Sequence, residues 1–177
     1  METNRVHFVT HSMGGVLVRH YLSIKTIENL GRVVMLSPPN HGSEVIDALA
    51  DKPGFEFING PAGKQLGTGP ESLLLVLGPA NFELGVITGN RSINLINSMM
   101  IPDQDDGKVS VASAKLDGMA DFLVVSHTHP FIMKARDVIE QAVLFLRHGC
   151  FDHRQDDPDA TSCPTVPLVS KESSENP

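Results

Sequence analysis

Long apolar runs are missing from this sequence. No stretch approaches the roughly 18 consecutive apolar residues that an ordinary membrane-spanning helix needs. Cysteine is scarce: Cys150 and Cys163 are too few for a disulfide scaffold or a four-cysteine zinc site. Basic charge is short as well, with 14 Lys and Arg against 21 Asp and Glu and a net charge of −7. That balance argues against nucleic acid as the main partner. The start lacks the charged, apolar and small-residue succession of a secretory signal. With an acidic body, this leans the location toward the cytoplasm and leaves it open. What is present suits one globular domain: 177 residues, 41% hydrophobic and 20% charged.

Charge is unevenly spread. From Cys150 to Pro177, six acidic residues face only Arg154 and Lys171, so this segment carries −4 of the total −7. It also holds four prolines and few large apolar residues. Such a composition buries too little surface to offset its ordering entropy, so 150–177 reads as a disordered acidic tail and 1–149 as the folded part.

Arg5–Thr10 is a short β-rich run, followed by an apolar pattern at helical spacing through Val16, Leu17, His20, Tyr21, Ile24 and Ile27. Gly31 is a plausible helix-terminating residue. Arg32–Leu36 reads as a strand buried on both faces. Ser43–Ala50 reads as a short helix. Residues 51–81, rich in glycine and proline around an apolar Ser72–Leu77, read as a lid-like or cap-like insertion. Phe82–Thr88 and Phe122–Ser126 are further strand candidates. A polar loop, Ile101–Val111, lies between them and enters a short extended piece, and Lys134–His148 is an amphipathic helix. This alternation predicts an α/β fold: a mostly parallel sheet with helices on both faces and functional groups beyond the C-terminal strand ends.

The sharpest local feature is Thr10-His11-Ser12-Met13-Gly14-Gly15, which follows a strand and opens a helix. A serine on such a turn is exposed for attack, and the helix start offers N–H groups to a developing oxyanion; the Met13 N–H would be one. Thr10 replaces the first glycine of the G-x-S-x-G pattern. The plainer reading is a serine that caps a helix.

These residues, followed by Val16-Leu17-Val18-Arg19, resemble the nucleophile elbow of lipase- and esterase-like α/β hydrolases. Ser37-Pro38-Pro39-Asn40-His41-Gly42-Ser43 resembles the segment after the next strand in bacterial lipases. Asp106-Gly107-Lys108-Val109-Ser110-Val111 resembles their acid loop, and Ser126-His127-Thr128-His129-Pro130-Phe131-Ile132-Met133 their histidine loop. The resemblance covers about residues 5–148. It implies a serine hydrolase of carboxylic esters, with a small-molecule or lipid ester as substrate and no cofactor. Acyl transfer and thioester hydrolysis would use the same residues.

A serine hydroxyl needs a histidine base, and the base needs a carboxylate. Ser12, Asp106 and His129 follow the chain order of this fold. Asp106 precedes Gly107, which permits a sharp turn; Asp105 is the other candidate. The resemblance puts the base two residues before Phe131, which selects His129 over His127. His7 reads as a strand-packing residue, His11 as a neighbour able to orient the elbow, His41 as a loop or pocket residue, and His148 as a cation at a helix C-terminus. A metal reading, with His127, His129, Asp105 and Asp106 as ligands, would leave the serine turn without a role.

Only eleven residues precede Ser12. The resemblance places earlier strands, and a loop carrying a second oxyanion donor, before the elbow. The expectation is therefore the C-terminal part of a hydrolase fold, N-terminally truncated, with Arg5–Thr10 as an exposed sheet edge open to pairing. A non-catalytic fragment is the alternative reading.

Overall fold

The computed structural model describes residues 4–43, 77–92 and 104–154, together with Leu74 and Cys163. Within them lie β1 (Val6–His11), α1 (Met13–Ile24), β2 (Leu30–Leu36), β3 (Leu84–Gly89), α2 (Val111–Ala114), β4 (Asp121–Val125) and α3 (Arg136–His148). A 3-10 turn, Ile132–Lys134, leads into α3. The four strands form one parallel sheet in the order β1-β2-β3-β4. The fold is the α/β arrangement that the alternating pattern predicted.

β2 shows why its sequence reads as unbroken apolar. Val34 and Leu36 join Ile87, Leu123, Val138, Ala142 and Phe145 on one face of the sheet. Val33 and Met35 join Leu84, Val86 and Val109 on the other, with Phe8 and Val18 packed against them. Successive strand residues point to opposite faces, so a strand covered on both sides needs apolar residues at every position. α3 thus covers one face and α1 contributes to the other. Gly85 lets α3 approach closely: a Cβ there would lie 2.7 Å from ring atoms of both Phe145 and Phe151.

Several boundaries differ from expectation. α1 ends at Ile24, where Lys25 turns extended, and the chain loops through residues 25–29. Gly31 is not a helix terminator; it lies inside β2, packed against the His7 ring. His7 Nδ1 there accepts the Arg32 N–H at 3.0 Å, beside an irregularity in the β1–β2 register. The buried side of α1 is Gly15, Val16 and Arg19, whereas Leu17, Tyr21 and Ile24 are exposed among the described residues. The extended piece expected after the polar loop is instead the one-turn helix α2, capped by the Ser110 side chain, which accepts the Ser113 N–H.

The reading of a free tail from Cys150 also changes at its start. Phe151 is buried beside Phe145, with ring centroids 5.0 Å apart, and its N–H donates to Asp121. Cys150 is bridged to Cys163 by a disulfide. Asp121 also pairs with His153 at 2.8 Å. One buried aromatic and one cross-link hold the described residues at the start of this segment. The expected helix beyond Ser43, nearly all of the 51–81 insertion and most of the tail lie outside the described residues.

Candidate active site

Ser12 occupies the single residue between β1 and α1. Its backbone has φ 53° and ψ −126°, a left-handed region that non-glycine residues seldom adopt and that costs about 1–3 kcal/mol. Two hydrogen bonds hold it there: Ser12 N–H to the Leu36 carbonyl at 2.9 Å, and Gly15 N–H to the Ser12 carbonyl at 3.0 Å. Close packing below the turn explains a small residue at 15, where a Cβ would lie 3.0 Å from Met35 Sδ and 3.1 Å from Pro38 Cβ. The Ser12 side chain makes no capping hydrogen bond to α1. Its Oγ lies 3.0 Å from His129 Nε2. The helix-capping reading therefore does not hold. Met13 is the first residue of α1, so its N–H has no acceptor within the helix.

His129 sits in the loop between β4 and the 3-10 turn. Its Nδ1 lies 2.8 Å from Asp106 Oδ2. A carboxylate only accepts, so Nδ1 carries the proton and the Nε2 lone pair faces the serine hydroxyl. Asp106 is fully buried, and its other oxygen, Oδ1, accepts the N–H groups of Lys108 at 3.1 Å and Val109 at 2.9 Å. Gly107, with φ 98°, makes this tight turn possible. The Asp105 carboxylate serves the same turn differently, accepting the Gly107 N–H at 2.6 Å. The acid and histidine loops are also joined through backbone, by the His129 N–H to the Asp106 carbonyl at 2.8 Å.

The structure thus brings Ser12, His129 and Asp106 into one hydrogen-bonded chain. His127 is directed elsewhere: its Nε2 pairs with the Asp137 carboxylate at 2.8 and 2.9 Å, on the first turn of α3. The four residues of the metal reading do not converge. His41 Nδ1 lies 3.4 Å from the Ser113 carbonyl, in the loop that follows β2.

Sequence reasoning missed a second layer. Arg19, buried in α1, donates to the carbonyl and side-chain oxygens of Asn40 at 3.0 and 3.1 Å and to the Gly78 carbonyl at 2.9 Å. Burial lowers the Arg19 pKa from its usual value. Asn40 donates in turn to the Ala114 carbonyl at 2.8 Å, and Ser43 Oγ donates to the Lys108 carbonyl at 2.8 Å. The loop after β2 is thereby tied to the elbow helix on one side and to the acid loop on the other. The spacing of Gly15, Val16 and Arg19 was a usable signal, because it puts a charge on the same stripe as the small residues that approach the sheet.

The fold is α/β-hydrolase-like. The mature form of the Bacillus licheniformis lipase BlEst2 superposes with a TM-score of 0.52 at 19% identity, over 71% of this chain and 59% of that one. The propeptide form of that lipase gives 0.51, over 32% of its length. Phospholipase PlaB from Legionella pneumophila gives 0.51 at 22% identity, over 64% of this chain and 30% of its own. This chain therefore spans about three fifths or less of each of these structures. No protein-family model matches the sequence. No curated protein matches it either.

Proposed function

We propose that this chain carries the catalytic apparatus of a serine hydrolase acting on carboxylic esters through an acyl-enzyme. The observation that supports this best is the Ser12 Oγ, 3.0 Å from His129 Nε2, on a strained turn at a helix start. Ser12 attacks the acyl carbon as His129 takes its proton. The imidazolium then protonates the leaving alcohol. Asp106, buried against the ring, stabilises that imidazolium and keeps Nδ1 protonated. The Met13 N–H donates to the oxyanion, where the partial positive charge of the helix start adds to it. Water, activated by the same histidine, releases the acid. A different acceptor in the second half would make the protein an acyltransferase, and a thioester would be cleaved by the same steps. The lipase and phospholipase neighbours favour lipid esters among carboxylic esters.

Labelling by a fluorophosphonate probe tests the reading. The chain is expected to label at Ser12, and Ser12→Ala to abolish it; labelling that survives the substitution removes the assignment. A para-nitrophenyl ester series of increasing acyl length then separates esterase from lipase behaviour.

One observation favours a second reading, in which the chain alone does not turn over. β1 is an edge strand among the described residues, and Val9 there is 52% exposed. An edge of this kind is a site for another segment to pair. Loss of one oxyanion donor costs on the order of 10²–10³ in rate. A well-folded chain that fails to label would select this reading.

A further inference from the structure

We propose that His11, the residue before the nucleophile, is a positioning residue for the base: it tethers the main chain of His129 to the strand that carries Ser12. The proposal rests on the Ser12–His129–Asp106 reading above and extends it to a residue outside that set.

His11 ends β1 and pairs in register with Leu36, as Val9 pairs with Val34. Leu36 and Val34 both belong to the core face covered by α3 and by Ile132 of the histidine loop. Alternation along the strand therefore directs His11 beneath that loop. Its Nε2 lies 3.0 Å from the His129 carbonyl oxygen, and its ring stands 4.8 Å from the His129 ring, tilted by 45°. A carbonyl oxygen only accepts, so Nε2 carries the proton and donates. The main chain of His129 is then gripped at both ends, by the Asp106 carbonyl at its N–H and by His11 at its C=O. The Asp106 contact sets the imidazole against its carboxylate. The His11 contact sets it against the serine, which directly follows β1, 117 residues away.

The tether works without charge. The groups acting on His11 are His129, Asp106 and Lys108. Burial first, and then the neighbouring His129, hold its pKa below 6.5, while Asp106 and the hydrogen bond to the His129 carbonyl oppose the shift. When His129 becomes an imidazolium during the reaction, its charge disfavours a second proton on His11 further. A neutral donor is thus kept beside a base that must gain charge.

His11→Phe keeps the ring and removes the donor. His11→Gln keeps a donor at nearly the same reach and removes the ring and its titration. The expected result is a fall in kcat of roughly 10- to 100-fold for His11→Phe, the scale of a misplacement of about 1 Å, with KM nearly unchanged. His11→Gln is expected to recover most of that loss, and its acid limb of kcat/KM to stay in place. Wild-type kcat in His11→Phe overturns the proposal, as does a His11→Gln variant equally impaired. Labelling of the unsubstituted chain is the control: if Ser12 does not label, the underlying reading fails. The tether is then judged by nitrogen-edited NMR of the unsubstituted chain, which also serves if His11→Phe does not fold. A slowly exchanging His11 Nε2–H supports the tether, and a fast-exchanging one overturns it.

Discussion

Two aspartates sit side by side in the acid loop, and their carboxylates do different work. Asp106 faces His129, while Asp105 braces the turn through the Gly107 N–H. Asp106→Asn is therefore expected to lower kcat by on the order of 10⁴, because an amide no longer favours the Nδ1-protonated tautomer. Asp105→Asn is expected to cost about 1 kcal/mol of stability and little rate. Steady-state kinetics and urea unfolding of the two variants check the contrast. His11 carries a pH consequence for stability. Its pKa is lower in the folded chain than its ordinary 6.5, so below pH 6.5 the unfolded chain takes up the proton first. Its contribution is thus neutral above that pH and destabilising as pH falls through and below 6.5. His11→Gln is expected to flatten this part of the stability curve, read from urea midpoints across that range. The candidate site reads most directly at Ser12, because a serine on a strand-to-helix turn is a local pattern. Asp106 and His129 were narrower choices, because each has a like residue one or two positions away in its loop and no local rule says which carboxylate faces which ring. The His11 and Arg19 contacts were not read, since they depend on loops 21 to 118 residues away.

Strands were easier to read than helices. The four described strands lie where apolar β-rich runs put them, their ends within about two residues. α1 was overextended because Ile27 follows Ile24 at helical spacing, and periodicity does not mark where a helix stops. α2 was missed since four residues hold too little periodicity to register. Packing between α3 and β3 gives a sharp test. Gly85→Ala puts a methyl group into the space of two rings and is expected to destabilise by about 1–3 kcal/mol, measured by thermal unfolding. The segment after α3 gives another. The Cys150–Cys163 bridge spans 13 residues, and closing a loop of that size is worth about 3 kcal/mol in the chain-entropy account. The double variant Cys150→Ser, Cys163→Ser, or the native chain under reductant, is expected to lose that margin of stability and to melt at lower temperature.

At the scale of the molecule, the sheet among the described residues is well covered in its middle and open at one side. β2 and β3 are buried almost throughout, whereas Val6 and Val9 of β1 are half exposed, and so are Leu17, Tyr21 and Ile24 of the helix that follows. Such an edge invites pairing with a further strand. The chain on its own is expected to associate as concentration rises, and Val9→Lys to suppress the association while leaving the far-ultraviolet spectrum intact; analytical ultracentrifugation checks both. The strand order has a further consequence for how the protein comes into being. Because the sheet adds its strands in the order in which they are encoded, the serine leaves the ribosome first and its histidine 117 residues later. On the proposed reading, a half-made chain holds a nucleophile with no base. The site is then complete only once β4 and the loop beyond it have docked, so recovery of probe labelling during refolding should trail the recovery of secondary structure. Translation itself would then keep the unfinished chain inert.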